Sequence, residues 1–486
     1  MALNAESIPM RWPAGPLDIA RGEKTKGFTA ATAEVLRSWQ DPASLAVVQG
    51  TPVNCLVVGW AADAGQQQAL KPLIEKGKQA GLEFVGLIEG ETDKPAAVAA
   101  AQSAGLAAVA MEGDVPASAG IPVIPWNTAA EVPSSAKSPI VGVSDGVFPG
   151  LPQGATPQGG PTNLPWVDSN GAILLIARAV APDKTVWVGF DPAPGAKLAA
   201  EAYELAVADS ASHGARWVIS LDDGLRADLA AKKQPAADTW KKAIDTVNFF
   251  EQHKELRTYQ PNGLVAVISN FAEPNYDSAE EAINLMPRVR QPFRLIARQH
   301  AASASFAGLQ AIYYMDKEAP DVALRKKLLA FANDGGTLLV PSNWPNPQGP
   351  PAPAEAYLLF SMRKVGKGRL GVCKEEKPDA YDSVADIQNI VSHGKDLVRV
   401  YNAPSSNFLY ETSAQGKQAV IQLLNYSRRP GGDGALFFVR EPYKSARVVS
   451  PELASAAELK FAPQEAGGAE LTLPRLSVYG VIELEN

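Results

Sequence analysis

Carboxylates recur at the ends of short apolar runs in the first half of the chain. The runs and their acids are Phe84 to Ile88 before Glu89, Ala107 to Met111 before Glu112, Val186 to Phe190 before Asp191, and Trp217 to Leu221 before Asp222 and Asp223. Two carboxyl groups across a sugar, one protonated and one ionised, are what hydrolysis of a glycosidic bond requires. The pattern therefore predicts carbohydrate chemistry if the fold brings these acids together.

The region before residue 260 alternates strand-like runs with Ala-rich helical segments, which is typical of parallel strands joined by crossover helices. The eight candidate strands are Ile8 to Trp12, Cys55 to Trp60, Phe84 to Glu89, Ala107 to Glu112, Ile121 to Pro125, Ile140 to Ser144, Thr185 to Phe190, and Trp217 to Leu221. The helical segments are Thr29 to Gln40, Gln66 to Gly81, Pro95 to Gly105, Asn170 to Val180, Ala196 to His213, and Thr239 to Leu256. Eight strands predict a (β/α)8 TIM-like barrel over residues 1–260, in which the carboxyl ends of the strands share one rim.

The composition and charge of the chain bear on which partners it can have. The chain has 486 residues, a net charge of -7 and 46% apolar residues, which is typical of a soluble globular protein. We expect no nucleic-acid partner, because no basic stripe is present to neutralise phosphates. We also expect no membrane partner, because no apolar run approaches the roughly 20 residues that span a bilayer. The compartment stays open: cytoplasmic, or secreted or periplasmic if a signal peptide has been removed.

Several other chemistries lack their motifs. Gly142 to Gly146 matches the nucleophile-elbow pattern, but a Pro- and Gly-rich stretch follows where that elbow needs a helix. The four histidines are scattered without metal-ligand spacing, and no phosphate-binding glycine loop follows a strand. Cys55 and Cys373 lie far apart, and Cys55 is interpreted as a small buried hydrophobic residue. The sequence thus predicts no metal and no other cofactor.

Aromatic and polar residues near the strand ends are candidates for holding a sugar. The long stretch Gly146 to Trp166 is predicted to be a loop on the same rim, where long loops are often functional. An indole face can stack on the apolar side of a sugar ring, whereas Trp187 and Trp217, inside strands, are predicted core residues. The predicted substrate-binding residues are Glu89, Trp60, Trp126, Asp145, Trp166 and Asp222.

Two further domains are predicted beyond the barrel. Residues 261–345 alternate strands and helices as in a small flavodoxin-like α/β unit, and Asp334 to Gly336 ends one helix before the next strand. The Pro-rich junction Pro345 to Pro353 follows. Residues 354–486 contain short strands separated by turn residues, which predicts an antiparallel β-sandwich.

The segment Leu324 to Pro341 (LRKKLLAFANDGGTLLVP) is similar to the amidotransferase-like middle domain of family 42 β-galactosidases. Gln422 to Ser427, Val448 to Glu452 and Leu473 to Glu485 look like the terminal sandwich of many barrel glycoside hydrolases. The chain therefore resembles multidomain TIM-barrel glycoside hydrolases of the family 42 arrangement. Neither cysteine lies in the amidotransferase-like segment, so no amidotransferase activity is expected. The resemblance also implies homo-oligomers formed through the middle domain.

The same resemblance implies an acid at the end of strand four and a nucleophile at the end of strand seven, which correspond to Glu112 and Asp191. Asp223 is the next candidate, and we expect only one of Asp222 and Asp223 to point inward, because neighbours on an extended strand face opposite ways. The related enzymes have Asn where this chain has Met111, and Glu where it has Asp191. Two hypotheses follow: a glycoside hydrolase that uses Glu112, Asp191 and Asp223, or a barrel without catalysis that binds carbohydrate or serves in assembly.

Overall fold

The computed structural model describes residues 3–90, 93–113, 120–151, 164–391, 395–429 and 434–486. Two compact units are present, one formed by residues 1–149 and 181–253 and the other by residues 150–180 and 254–486. The described α-helices are α1 (Pro16–Gly22), α2 (Ala30–Gln40), α3 (Ala64–Gln79), α4 (Lys94–Ser103), α5 (Gly171–Val180), α6 (Ala200–Ser212), α7 (Asp223–Ala230), α8 (Gln234–Gln252), α9 (Tyr276–Leu285), α10 (Arg298–Ala301), α11 (Val322–Asn333) and α12 (Ala380–Val391). Short 3-10 helices cover Pro42–Val47, Ala129–Glu131 and Lys254–Thr258.

The first unit contains an eight-stranded parallel sheet whose strands pair in chain order. The strands are β1 (Pro9–Arg11), β2 (Cys55–Gly59), β3 (Glu83–Ile88), β4 (Ala108–Met111), β5 (Val123–Asn127), β6 (Ile140–Val143), β7 (Thr185–Val188) and β8 (Arg216–Trp217). A parallel bridge between Met10 and Ile219 joins β1 to the residues just after β8 and closes the ring. The predicted TIM-like barrel is therefore confirmed.

The interior of the barrel is packed with alternate residues of the strands, among them Val57, Val85, Ile124 and Trp187. Both faces of these strands are covered, so their sequences are almost continuously apolar. The first and fifth predicted strands both form, although each has a proline at or near it in the sequence: Pro122 stands before β5 rather than inside it, and β1 is short and ends before Pro13. Helix α1 also follows β1, although its sequence was not predicted to be helical. The predicted loop from Gly146 to Trp166 falls largely on residues 152–163, which lie outside the described residues.

The second unit begins with a seven-stranded sheet in the order β11-β10-β12-β13-β16-β15-β14. Its strands are β10 (Val265–Ser269), β11 (Phe293–Ala297), β12 (Ala311–Tyr314), β13 (Thr337–Val340), β14 (Pro351–Ala356), β15 (Phe360–Val365) and β16 (Gly368–Cys373), after a short β9 (Gln260–Pro261). Strands β10 to β13 and β16 run parallel, and β15 and β14 are antiparallel additions at the edge. This is the predicted flavodoxin-like α/β arrangement, and helix α5 packs against β11 and α9 within it.

Asp316 ties together the carboxyl ends of two central strands of this sheet. The side chain is fully buried just after β12, and it accepts hydrogen bonds from Ser269 Oγ at 2.6 Å and from the Asn270 N–H at 2.9 Å. Arg298 Nη1 lies 2.9 Å from Asp316 Oδ2. In open α/β sheets a ligand crevice forms where the strand order reverses. Here that position, between β10 and β12, holds a satisfied internal ion pair.

Two antiparallel sheets form the predicted sandwich. Their strands are β17 (Val398–Tyr401), β18 (Ser406–Thr412), β19 (Gln418–Asn425), β20 (Leu436–Val439), β21 (Ser445–Val449), β22 (Ala457–Glu458), β23 (Ala462–Pro463), β24 (Ala469–Thr472) and β25 (Tyr479–Glu485). One sheet has the order β17-β20-β24-β23 and the other β22-β21-β25-β19-β18-β9. Buried residues such as Phe408, Ile421, Phe437 and Ile482 form the core. Strands β14 to β16 fall mainly within the range 354–486 that was predicted for the sandwich, but they join the α/β sheet instead. The three domain boundaries stay a prediction.

Glu411 is a buried carboxyl within the sandwich. It accepts a hydrogen bond from Gln422 Nε2 at 2.7 Å, and Gln422 Oε1 in turn accepts from the Tyr479 hydroxyl at 2.5 Å. Burial raises the pKa of Glu411 to about 7, although Gln422 and Arg178 lower it. The folded protein therefore holds this carboxyl protonated at pH values where an exposed glutamate is ionised.

We expect Glu411 to make the second unit less stable as the pH rises. Its folded pKa lies above the ordinary value of 4.5, so the unfolded chain releases this proton first and the stability falls between about pH 4.5 and 7. Glu411→Gln keeps the side chain neutral and should flatten this slope, with a gain of roughly 3 kcal/mol at most at pH 8. Urea unfolding across this pH range tests it. The exposed Glu465→Gln is the control, and an identical slope in both variants would contradict the assignment.

Candidate functional site

A cavity of about 230 Å³ opens among residues that follow the barrel strands. Its lining combines charged side chains with apolar ones that include Pro13, Phe28, Leu36 and Leu221. The charged residues are Arg11, Asp18, Arg21, Glu89, Asp191, Asp223 and Arg226. Arg11 ends β1, Glu89 directly follows β3, and Asp191 stands a few residues after β7. The barrel thus brings together acids that are about a hundred residues apart in sequence, as expected for the carboxyl ends of parallel strands.

Arg11 is the buried centre of this cavity. The residue is only 6% exposed, and its guanidinium donates through Nη2 to Asp18 Oδ1 at 2.8 Å and through Nε to Asp191 Oδ2 at 3.0 Å. A third bond, from Nη1 to the Val57 carbonyl at 3.3 Å, anchors it to β2. Burial lowers the pKa of Arg11, but the neighbouring carboxylates outweigh burial and raise it. Arg11 therefore stays a fixed positive charge.

Asp18 is placed for this pair by local structure. It lies in the first turn of α1, where acidic side chains are favoured, and Pro16 at the start of that helix has the backbone angle a first turn needs. Its second oxygen accepts the Ala14 N–H at 2.9 Å. A Cβ atom on Gly59 would lie 2.8 Å from Asp18 Oδ1. Only glycine at the end of β2 therefore leaves room for this carboxylate.

Glu89 stands between positive and negative neighbours. Arg21 Nη1 lies 2.8 Å from Glu89 Oε2, and the glutamate side chain is still 43% exposed. Burial raises the pKa of Glu89 above its ordinary value of 4.5. The cations Arg11 and Arg21 lower this pKa, and the carboxylates Asp191 and Asp18 raise it. The net direction is upward, which makes Glu89 the carboxyl of this cavity best suited to hold a proton.

Asp222 and Asp223 diverge at the start of α7, where Asp222 is the N-cap and Asp223 is the first helical residue. Asp222 is buried and caps α7, accepting hydrogen bonds from the Leu225 N–H at 2.9 Å and the Tyr203 hydroxyl at 2.7 Å. Asp223 instead lines the cavity, where it pairs with Arg226 and accepts the Gly195 N–H at 3.2 Å. Asp222 therefore positions the start of α7, whereas Asp223 lies where a substrate in the cavity can reach it.

Arg226 has donors that the described protein groups leave unused. The residue is 8% exposed, and its Nη2 is bonded to Asp223. Its Nε and Nη1 are buried without a hydrogen-bond partner. A buried donor without an acceptor costs roughly 1–3 kcal/mol. Two donor atoms of Arg226, a residue that lines the cavity, therefore lack a hydrogen-bond acceptor among the described protein groups.

The other predicted site residues lie elsewhere. Glu112 is exposed after β4 and does not belong to the described cavity lining; its carbonyl accepts a bond from Lys94 Nζ at 2.8 Å. Asp145 is exposed and accepts the Ala129 N–H. Trp166 belongs to the second unit and is 40% exposed. The barrel thus groups Glu89, Asp191 and Asp223 but leaves Glu112 outside this cavity.

Trp60 and Trp126 are core residues rather than sugar platforms, which corrects the prediction from sequence. Trp60 is fully buried, and its indole N–H donates to the Ala97 carbonyl at 3.2 Å. Trp126 is 7% exposed and packs so closely over β6 that a Cβ on Gly142 would lie 2.0 Å from its ring. Residues at strand ends alternate between the barrel interior and the surrounding helices, so position at a strand end alone did not show their exposure.

The aromatic residue exposed at this rim is Phe190. It directly precedes Asp191, is 40% exposed, and has its ring 6.1 Å from that of Phe148 in an edge-to-face arrangement. Phe148 is itself packed against Trp217 at 5.1 Å and Tyr203 at 5.9 Å. Phe190 was predicted only as part of a strand. In the sequence, Phe190 could have been recognised as a large aromatic residue that lies between the glycine after β7 and Asp191.

The cavity pairs its carboxylates with arginines. Its described lining contains no histidine or cysteine. Its carboxylates are bonded to arginines: Asp18 and Asp191 to Arg11, Glu89 to Arg21, and Asp223 to Arg226. Arginine therefore supplies the positive charge that a cation would supply in a carboxylate metal site. None of these four arginine contacts was predicted from sequence, because arginine carries no motif of its own.

Among the described residues, no helix is both long and apolar enough to cross a membrane.

Comparison with known proteins agrees with this fold. No protein-family model matches the chain, and no curated protein matches it either. Among solved structures, α-L-fucosidase isoenzyme 2 from Paenibacillus thiaminolyticus matches with a TM-score of 0.61 and 11% identity, over 99% of this chain and 100% of that one. The exo-β-1,4-mannosidase Op5Man5 from Opitutaceae bacterium strain TAV5 gives 0.49 and 10%, over 80% and 96%. A catalytic mutant of the GH42 β-galactosidase Gan42B from G. stearothermophilus gives 0.37 and 9%, over 87% and 67%.

At 11% identity the match to the fucosidase shows the fold alone, and it extends over the whole of both chains. The chain therefore has the architecture of a multidomain TIM-barrel glycoside hydrolase, as the resemblance in its sequence implied. Its activity and its substrate are not shown by this likeness.

Loss of the Arg11 charge should destabilise the barrel strongly. Arg11→Met leaves Asp18 buried without its cation, and breaking one partner of a buried pair costs about 3–5 kcal/mol. Urea unfolding of the purified variant measures this loss. The control is Arg37→Met, which breaks an exposed pair with Glu34 and should cost less than about 1 kcal/mol. Equal small losses would show that the cavity does not depend on Arg11.

Proposed function

We propose that the barrel cavity hydrolyses a glycosidic bond in a carbohydrate, with Glu89 as the general acid and Asp191 as the ionised carboxylate. The observation that carries this proposal is that both side chains line one cavity at the carboxyl ends of β3 and β7. Glycoside hydrolysis needs one carboxyl that donates a proton to the leaving oxygen and another that acts as nucleophile or base. The proposal assigns the first role to Glu89 and the second to Asp191.

Glu89 suits the role of the acid. Burial raises its pKa, and so do Asp191 and Asp18, while its 43% exposed side chain remains within reach of a substrate. A carboxyl close to another carboxylate tends to keep its proton, because two negative charges in one site repel each other. Glu89 replaces Glu112 as the proposed acid, since Glu112 lies outside the cavity lining.

Asp191 suits the role of the ionised partner. Its side chain is 53% exposed, and one oxygen is held by Arg11 Nε at 3.0 Å. A charge-assisted hydrogen bond of this kind fixes the orientation of the carboxylate. The second oxygen has no bond from Arg11 and is available to a sugar carbon or to a water molecule.

Other residues of the cavity, together with Phe190 beside Asp191, are proposed to hold the sugar. Asp223 offers carboxylate oxygens to sugar hydroxyls, and the buried Arg226 holds Asp223 through an ion pair. Phe190 offers an exposed ring beside Asp191, supported from behind by Phe148. Aromatic faces stack on the apolar faces of sugars in the way they pack on other flat apolar surfaces. The carbohydrate partner belongs to this proposal, and oligomers through the middle domain stay a prediction.

A sugar-binding barrel without catalysis is the second candidate. The observation that favours it is that Glu89, Asp191 and Asp223 are each bonded to an arginine. Carboxylates locked in ion pairs can bind hydroxyl groups without taking part in proton transfer. The two candidates differ in whether a bound glycoside is cleaved.

Hydrolysis of a panel of aryl glycosides is expected to depend on Glu89 and Asp191. Loss of a general acid or base lowers the rate roughly 10²- to 10⁴-fold. Glu89→Gln should lose activity on substrates with poor leaving groups but keep much of it on dinitrophenyl glycosides, which need no proton. Asp191→Asn should lose activity on both kinds of substrate. Release of the phenol gives the rate for each variant.

Glu112→Gln is the matched control for this experiment, because it changes an exposed strand-end glutamate outside the cavity. It should retain wild-type rates. Loss of activity in Glu112→Gln with retention in Glu89→Gln would overturn the assignment of the acid. Binding of a glycoside without release of phenol by the wild-type protein would favour the second candidate.

The pH profile should report the proton on Glu89. The acid must be protonated to act, so kcat/KM is expected to fall as the pH rises through its pKa, which lies above 4.5. Arg21 lowers this pKa, so Arg21→Met should move the alkaline limb to higher pH. The control is Lys24→Met on the exposed surface, which should leave the limb in place. A limb at the same pH in all three proteins would show that another group controls it.

A further inference from the structure

A second cavity, of about 450 Å³, lies in the sandwich. It is lined by the connection between β17 and β18, the end of β19, and the segment that leads into β25. Leu423, Leu476, Pro474 and Ala435 give it apolar walls. All of its lining residues belong to the second unit, and none of them has a role in the proposed hydrolysis.

The charge of this cavity is one-sided. Arg429 and Arg475 line it and are exposed, while its described lining residues include no aspartate or glutamate. Arg290 lies behind the wall, where it donates to the carbonyls of Ser406 and Ala403. Burial lowers the pKa of Arg290 to about 10, and Arg288 lowers it too, so Arg290 is still charged at neutral pH. Three guanidinium groups therefore act on this cavity in a chain whose net charge is -7.

The polar side chains between the arginines are already bonded to the protein. Asn425 Nδ2 donates to the Arg429 carbonyl at 2.8 Å and to the Leu476 carbonyl at 3.1 Å. The Ser427 hydroxyl donates to Asn425 Oδ1 at 2.7 Å. These bonds fix the shape of the wall. The guanidinium groups of Arg429 and Arg475 form no ion pair with any described residue and can turn toward a ligand.

The geometry points to a binding site for an anionic saccharide, one that bears carboxylate or sulfate groups, between Arg429 and Arg475. Guanidinium groups bind the oxygen atoms of carboxylates and other oxyanions through paired hydrogen bonds. The apolar walls beneath them suit the faces of a sugar ring. That the ring is a sugar rests on the function proposed for the barrel.

Binding of polysaccharides to the full chain tests this assignment. Polygalacturonate carries carboxylates, dextran sulfate carries sulfates, and dextran is neutral. We expect the wild-type protein to be retarded in gels that contain at least one of the two anionic polymers and not in gels with dextran. The double variant Arg429→Ala with Arg475→Ala should bind at least about tenfold more weakly, since each lost charge-assisted contact is worth close to a factor of ten. Its thermal unfolding, measured alongside, should match that of the wild type because both side chains are exposed.

The matched control is Arg363→Ala with Lys460→Ala, which removes the same charge from other positions of the second unit. It should leave binding unchanged. Equal weakening in the control, no binding of either anionic polymer by the wild-type protein, or equal retardation by dextran would each overturn the site. Glu89→Gln should bind these polymers like the wild type, so failure of the barrel chemistry and failure of this site give different results.

Discussion

The buried guanidinium of Arg11 is the interaction on which the barrel and its cavity both depend. It joins the end of β1 to Asp18 on the following helix, to Asp191 after β7, and to the Val57 carbonyl on β2. A charge buried to this degree is tolerated only when it is paired and hydrogen-bonded, and Arg11 satisfies this with two carboxylates. The same contacts that stabilise the charge also bring strands one and seven into one polar cluster. The contacts that stabilise Arg11 are therefore the same contacts that arrange the carboxylates of the cavity.

The small residues around this cluster have a matching role. Gly59 leaves room for Asp18, and Gly142 leaves room for the Trp126 ring that fills the upper barrel. A methyl group at either position would collide with a side chain that is already tightly packed. The glycine on β2 thus leaves room for a carboxylate, and the glycine on β6 leaves room for an indole.

The sequence predicted the elements of the fold better than the contacts of the site. Eight apolar runs with intervening Ala-rich segments were sufficient for the barrel, since their spacing follows from the βα repeat itself. The acids Asp191 and Asp223 were predicted as neighbours from their strand-end positions. Arg11 and Arg21 were not predicted, because neither an arginine at the end of a strand nor one in a short helix has a distinguishing pattern in the sequence. Glu112 and Glu89 are equivalent in sequence, and only the packing around them separates the exposed residue from the one that lines the cavity.

The balance of charge in the cavity explains why one carboxyl can differ from the others. Four carboxylates face three arginines, so full ionisation would leave one negative charge in excess. Arg11 is shared by Asp18 and Asp191, whereas Arg21, the partner of Glu89, lies nearer to solvent, where its attraction is weaker. Burial raises the pKa of one carboxyl of this cluster, Glu89, above its ordinary value, and the carboxylates Asp191 and Asp18 raise it further. A proton held there, beside an aspartate fixed by a permanent cation, is the asymmetry that acid-assisted cleavage of a glycosidic bond requires.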